Sequence, residues 1–209
     1  MSLIDKLQWR YATKKFDHTK KLSAEQLETL LTAIQLAPSS YGLQSYKVLV
    51  VEDPETRERL REAAYGQSQL TEASQVLVFA SKTTIDAELV TDFIGSVAKT
   101  REIGTEHLEA YKQVIMGAVN NLAEDQKINW SHKQAYLALG VLLTTAAEMG
   151  VDACPMEGFA AGKFDEILGL KEKGLTTAVI ATIGFRAAED DFSKLAKVRR
   201  SKEELFIHV

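Results

Sequence analysis

The chain has 209 residues, 45% of them hydrophobic and 26% charged, with a formal net charge of -4. That profile describes one ordinary globular domain over residues 1–209, excludes a disordered or fibrous chain, and argues against nucleic acid as the main partner. The single cysteine, Cys154, excludes an internal disulfide framework and a structural zinc site built on several thiolates.

In chain order, residues 2–13 predict a first helix, with Leu3, Ile4 and Leu7 at helical spacing. It runs into Trp9-Arg10-Tyr11-Ala12-Thr13-Lys14-Lys15-Phe16, where basic residues beside aromatics either grip an anion or form a solvated helix end. Ser23 with Gln26 three residues on is a capping box, so a second helix starts at Ala24, and Pro38 closes it. The following Pro38-Ser39-Ser40-Tyr41-Gly42 is small, polar and turn-prone. Its serines either donate to a ligand or only complete turns, and no His-Asp pairing nearby activates them as nucleophiles.

Residues 46–52 predict a strand, and Asp53 followed by Pro54 marks a clean start for a third helix that Gly66 ends. Gln67, Ser68 and Gln69 make a polar patch. Residues 76–80 form a continuous apolar run, expected to be a central strand. From 86 to about 129 the chain is polar and helical in composition, with possible breaks at Gly95 and Gly104. This segment is either an excursion over a site, a dimer arm or a set of peripheral helices.

Between Lys133 and Glu148 no residue is charged. A helix apolar all round must be surrounded by protein or lipid, and this one is too short to span a bilayer. It is expected to be the core helix, ended by Gly150, with a short extended run at 151–154 and a turn at Pro155-Met156-Glu157-Gly158. A short helix at 164–168 and an apolar strand at 176–183 follow. Lys194, Lys197, Arg199, Arg200 and Lys202 then form a basic cluster, and residues 205–209 are apolar and strand-like. A terminal strand without a neighbour in sequence needs a sheet edge to accept it.

The chain lacks G-x-G-x-x-G, a P-loop, H-E-x-x-H, C-x-x-C and G-x-S-x-G, and its four histidines are scattered. No metal site and no catalytic side chain are expected. No apolar run reaches the roughly 18 residues of a membrane span, and no basic-then-apolar leader opens the chain, so no membrane partner is expected and the expected location is cytoplasmic.

Six separated segments share one pattern: Arg10-x-x-x-Lys14-x-Phe16, Ala37-Pro38-Ser39-Ser40, Glu72-Ala73-Ser74, Pro155-Met156-Glu157-Gly158-Phe159, Leu170-Lys171-Glu172-Lys173-Gly174 and Lys197-Val198-Arg199. In this order and over nearly the whole length they resemble the nitroreductase family: flavin-dependent, oxygen-insensitive NAD(P)H nitroreductases and their dihydropteridine-reductase relatives. The resemblance implies an α+β fold, a mixed central sheet flanked by helices, with the C-terminal strand exchanged in a homodimer. It implies bound FMN, with NADH or NADPH as electron donor and small planar acceptors (nitroaromatic, quinone or pterin-like) reduced by ping-pong hydride transfer through flavin N5. The chemistry would be carried by FMN itself.

Carried over by position, Arg10, Lys197 and Arg199 would hold the phosphate, with Tyr11 and Ala12 beside them. Lys14 and Gln69, next to Gln67, would face the pyrimidine edge of the flavin. The backbone of Glu157 and Gly158 would approach N5, with Pro155 and Met156 against one ring face. Pro38, Ser39, Ser40 and Gly42 would contact the same flavin from the other subunit. The chain departs from the family pattern at Ala12, where many relatives have Ser, at Gly42 in place of Asn, and at Gln44-Ser45-Tyr46 in place of Gln-Pro-Trp. The pocket-gating aromatic would be Phe93 or Tyr111. A flavin-binding protein for storage or sensing, without turnover, is the alternative reading.

Overall fold

A computed structural model describes residues 2–209. Helix α1 (Leu3–Trp9) is followed by α2 (Ala24–Gln35), strand β1 (Tyr46–Val51), α3 (Pro54–Ala63), the single turn α4 (Gln69–Glu72) and β2 (Gln75–Lys82). The excursion contains α5 (Ala87–Arg101) and α6 (Glu109–Asn120), and the long α7 (Glu124–Glu148) leads into β3 (Asp152–Met156). Helix α8 (Ala161–Ile167), β4 (Leu175–Gly184) and α9 (Lys202–Leu205) complete the chain.

The four strands run in the order β1-β2-β4-β3 and every neighbouring pair is antiparallel. The parallel component of the expected mixed sheet is one bridge among the described residues, Ala12 to Ala153. Strand periodicity sorts the core into two layers. Leu77 and Phe79 of β2 pack with Val179, Ala181 and Ile183 against α2 and α7. Val76, Val78 and Ile180 face the opposite way, toward Leu60, Leu70 and Phe164 on α3, α4 and α8. Both central strands are therefore covered on both faces, which is why they read as unbroken apolar runs.

Several expected boundaries move for identifiable reasons. Helix α1 ends at Trp9 instead of 13, because Arg10 is extended and Ala12 joins the edge of β3. Pro155 and Met156 belong to β3 and not to the turn. Pro155 lacks an N–H, and an edge strand is where a sheet tolerates that loss. Helix α5 runs straight through Gly95 and ends at Glu102, which adopts a left-handed conformation. The core helix extends back to Glu124, and one face of it stays open: Tyr136 and Leu137 are 39% and 49% exposed.

The C-terminal segment also differs from expectation. Ser201 and Glu204 form a reciprocal capping box, so residues 202–205 wind into one helical turn before any strand can begin. Residues 206–209 pair with no strand among the described residues, and Phe206 and Ile207 lie exposed.

Candidate functional site

The fold gathers the first group of predicted residues where α1 ends. Trp9 and Tyr11 lie against the Arg186 guanidinium, whose carbon is 4.2 and 4.6 Å from their ring centroids. Arg186 is itself tied to the buried Asp152 at the start of β3. This stack fixes the backbone on either side of Arg10. The ammonium of Lys197 then donates to the carbonyl of Leu7 in the last turn of α1 and to that of Arg10 at its C-cap.

A cavity of about 430 Å³ results, lined by Ile4, Leu7, Gln8, Arg10, Lys197 and Arg199. Among the described residues none of these three cations has a carboxylate in ion-pair range. Burial, then the neighbouring Arg199, lowers the Arg10 pKa, and burial with Arg10 and Arg199 does the same for Lys197. Three like charges in one cavity without a carboxylate in range among the described residues have the chemistry to receive an anion.

Asp190, missed from sequence, organises the adjoining strip. Its buried carboxylate accepts from the Tyr11 hydroxyl and from the N–H groups of Lys14, Lys15 and Phe192. The Tyr11 side chain is thereby committed within the protein, and its phenol pKa is pushed up by burial and by Asp190. The Lys14 side chain remains exposed, 6.0 Å from the Phe192 ring centroid. Burial raises the Cys154 thiol pKa while the Lys14 and Arg10 cations oppose it, so both cations flank β3.

Directly after β3, the turn carrying Glu157 and Gly158 is gripped from two sides. The Gln67 amide donates to the carbonyl of Gly158 at 2.7 Å and to that of Ala64 at 3.0 Å. From α7, the Tyr136 hydroxyl donates to Glu157 Oε1 in a short hydrogen bond. The N–H groups of Glu157 and Gly158 donate to nothing among the described residues. Gln69 is buried at the start of α4, and its side-chain amide likewise makes no hydrogen bond among them. A turn held rigid with its donors free is arranged to receive an acceptor atom.

The loop at 38–44 lies elsewhere. Pro38 and Gly42 are exposed, and the Ser39 hydroxyl accepts from the Gln44 N–H, so it completes its own turn. The Ser40 N–H donates to Gln134 Oε1 on α7 at 2.7 Å. Gly42 has φ +81°, and a Cβ there would come within 3.1 Å of the Phe93 ring. Phe93 and Tyr111 meet edge to face, with centroids 6.4 Å apart, and the Tyr111 hydroxyl donates to the Tyr41 carbonyl. Both aromatics named from sequence therefore close on one loop. No hydrogen bond among the described residues joins this loop to the Glu157 turn. One chain presents two partial surfaces, tethered to α7 through Gln134 and Tyr136.

The model of the nitroreductase family matches residues 7–185, a span that includes Arg10, the 38–44 loop and the Glu157 turn. The chain belongs to the nitroreductase family. It is similar to YfkO of Bacillus subtilis (strain 168), 35% identical over 198 residues and covering 90% of each chain, which is named "Putative NAD(P)H nitroreductase". Among solved structures, ydfN of Bacillus subtilis superposes with a TM-score of 0.88 at 22% identity, covering 99% of this chain and 98% of the other. A protein from Exiguobacterium sibiricum 255-15, solved in complex with FMN, gives 0.86 at 18% identity, covering 100% and 98%. At these identities the two structures establish the nitroreductase fold for this chain. No helix among the described residues is long and apolar enough to cross a membrane.

Proposed function

We propose that this member of the nitroreductase family is an FMN-dependent NAD(P)H oxidoreductase that reduces small planar acceptors such as nitroaromatics, quinones or pterin-like rings. The observation that carries the reading is the uncompensated Arg10, Lys197 and Arg199 cluster together with the turn after β3, whose two N–H groups are free among the described residues, the Ala12 bridge to Ala153 setting the Arg10 segment beside that strand. Those groups suit a flavin mononucleotide: a dianionic phosphate for the cations, and a ring atom for the turn. The FMN-bound fold neighbour and the relatives' designation as NAD(P)H nitroreductases support the same cofactor and donor.

When bound, FMN would supply the redox chemistry, taking hydride from NADH or NADPH and passing it to the acceptor in a ping-pong sequence. The chain's own part is to bind, orient and tune. Arg10, Lys197 and Arg199 would hold the phosphate. Lys14 and Gln69 would serve the pyrimidine edge, where a cation favours added negative charge. Glu157 and Gly158 would offer their N–H groups, with Gln67 fixing their turn and Pro155 and Met156 backing it from β3.

The reading includes a homodimer. The 38–44 loop of one copy would cover the flavin held by the other, since no hydrogen bond among the described residues joins the two partial surfaces within a chain. The open face of α7 at Tyr136 and Leu137, and the exposed Phe206 and Ile207, supply apolar area for that contact.

Anaerobic mixing of the purified, flavin-loaded protein with NADH and with NADPH tests the proposal. Bleaching of the flavin absorbance by at least one donor, and its return on adding a quinone or nitroaromatic, is the expected result. A bound flavin that neither donor reduces would leave only storage or sensing.

A further inference from the structure

From Gln134 to the end of α7 four side chains carry hydrogen-bonding groups ahead of Glu148: Gln134, Tyr136, Thr144 and Thr145. Thr144 bonds back to the Gly140 carbonyl of its own helix. Gln134 and Tyr136 instead reach out, one to each partial surface. Gln134 meets a main-chain N–H. Tyr136 meets a carboxylate, and that difference has chemical consequences.

Glu157 is exposed, and no Lys, Arg or His of the described residues lies in ion-pair range of it. The single hydrogen-bond partner of its carboxylate among them is the Tyr136 hydroxyl. A hydrogen bond to an ionised acceptor is among the stronger kinds, and it disperses the acceptor's charge. Burial, then the contact with Glu157, pushes the Tyr136 phenol up to about 12, so the donor stays protonated across the neutral range. The same bond clamps the turn from the side opposite Gln67.

We propose that Tyr136 is a positioning and redox-tuning residue: its hydroxyl masks the Glu157 carboxylate and holds the turn's two free N–H groups in place. This rests on the FMN reading above, in which that turn faces the flavin. A bare carboxylate there opposes the negative charge that reduction adds to the ring, and so lowers the potential. Masked by the phenol, the carboxylate keeps its anchoring role with less of that penalty. The arrangement explains why an acidic side chain is tolerated at a point where reduction adds negative charge.

The test is the two-electron reduction potential of the FMN-loaded protein, measured by dye equilibration, for wild type, Tyr136→Phe, Glu157→Gln and the double variant. Tyr136→Phe should make the potential more negative and slow flavin reduction by NAD(P)H. Glu157→Gln should make the potential more positive. In the Glu157→Gln background, Tyr136→Phe should shift the potential far less, because the charge it masks is gone. A purely structural tyrosine predicts no such dependence on residue 157.

An unchanged potential in Tyr136→Phe, or an equal shift in both backgrounds, overturns the inference. Should Tyr136→Phe not fold, Glu157→Gln alone decides, and a potential that fails to rise overturns it. Wild-type protein that takes up no FMN overturns the functional reading and this inference together. Loaded wild type with an unshifted Tyr136→Phe overturns this inference alone.

Discussion

The buried carboxylate of Asp190 accepts the main-chain N–H of Lys14 at 2.8 Å, joining residues 176 positions apart in sequence. Through that bond, and those from Tyr11, Lys15 and Phe192, the segment after β4 sets the backbone that carries Arg10 and Lys14. Burial raises the Asp190 pKa, but the hydrogen bonds from Lys15, Lys14, Tyr11 and Phe192 outweigh it, and the carboxyl ends below its usual value. A group depressed in the folded state stabilises above its unfolded pKa of about 4, and that stability is lost as pH falls through the folded value. Asp190→Asn should therefore cost about 1–3 kcal/mol at pH 7. In urea titrations the gap from wild type should narrow below about pH 4. A gap that stays constant down to pH 3 would contradict this role.

Arg199→Ala and Arg10→Ala should each weaken FMN binding roughly 10- to 100-fold, the effect of losing a charge-assisted phosphate contact. The FMN-free protein should show the opposite sign. Arg199 lowers the pKa of both Arg10 and Lys197, so removing it relieves repulsion. Flavin fluorescence titration beside apo-protein melting separates the two effects. Unchanged FMN affinity in Arg199→Ala would take that residue out of the site.

Gly42→Ala should destabilise the protein by about 1 kcal/mol or more, because alanine is strained at positive φ. Its methyl would also press on the Phe93 ring at 3.1 Å. Phe93→Ala in the same chain opens that space and should recover part of the loss. Full additivity of the two substitutions in thermal melts would argue against the contact.

Deleting residues 203–209 should weaken self-association, since Phe206 and Ile207 find no cover within the chain. Sedimentation velocity with and without the tail reads this directly. A truncated protein that remains a stable, flavin-loaded dimer would rule out a role for the tail in assembly.

Much of the fold is legible in the residues themselves. The apolar runs of β2 and β4, the Ser23 capping box and Asp53 with Pro54 at a helix start all rest on local rules, and the structure keeps each of them. Where local reading stops short, a competing signal of the same kind was present. Ser201 and Glu204 start a helical turn that takes in Leu205, the first residue of what otherwise reads as a strand. Pro155 reads as a turn residue until its strand proves to be an edge.

The site divides the same way. Cations and turn residues announce themselves by type, as with Arg10, Lys197, Arg199 and Gly158. The groups that position them do not. Asp190, Tyr136 and Gln134 act across long stretches of chain, and nothing in their neighbours marks them apart from other polar residues. In Tyr136 the available signal was a phenol within the uncharged 134–147 stretch of the core helix, an apolar ring with a polar tip that takes a hydrogen-bond partner.

On the proposed function, Arg10, Lys197 and Arg199 hold the phosphate of FMN while the Glu157 turn faces its ring. A crystal structure of the protein grown with FMN decides this. Phosphate oxygens are expected within hydrogen-bonding distance of those three side chains and the flavin ring against the Glu157 and Gly158 N–H groups, with the 38–44 loop of a second copy across it. A flavin bound elsewhere, or a phosphate with none of the three cations beside it, would contradict it.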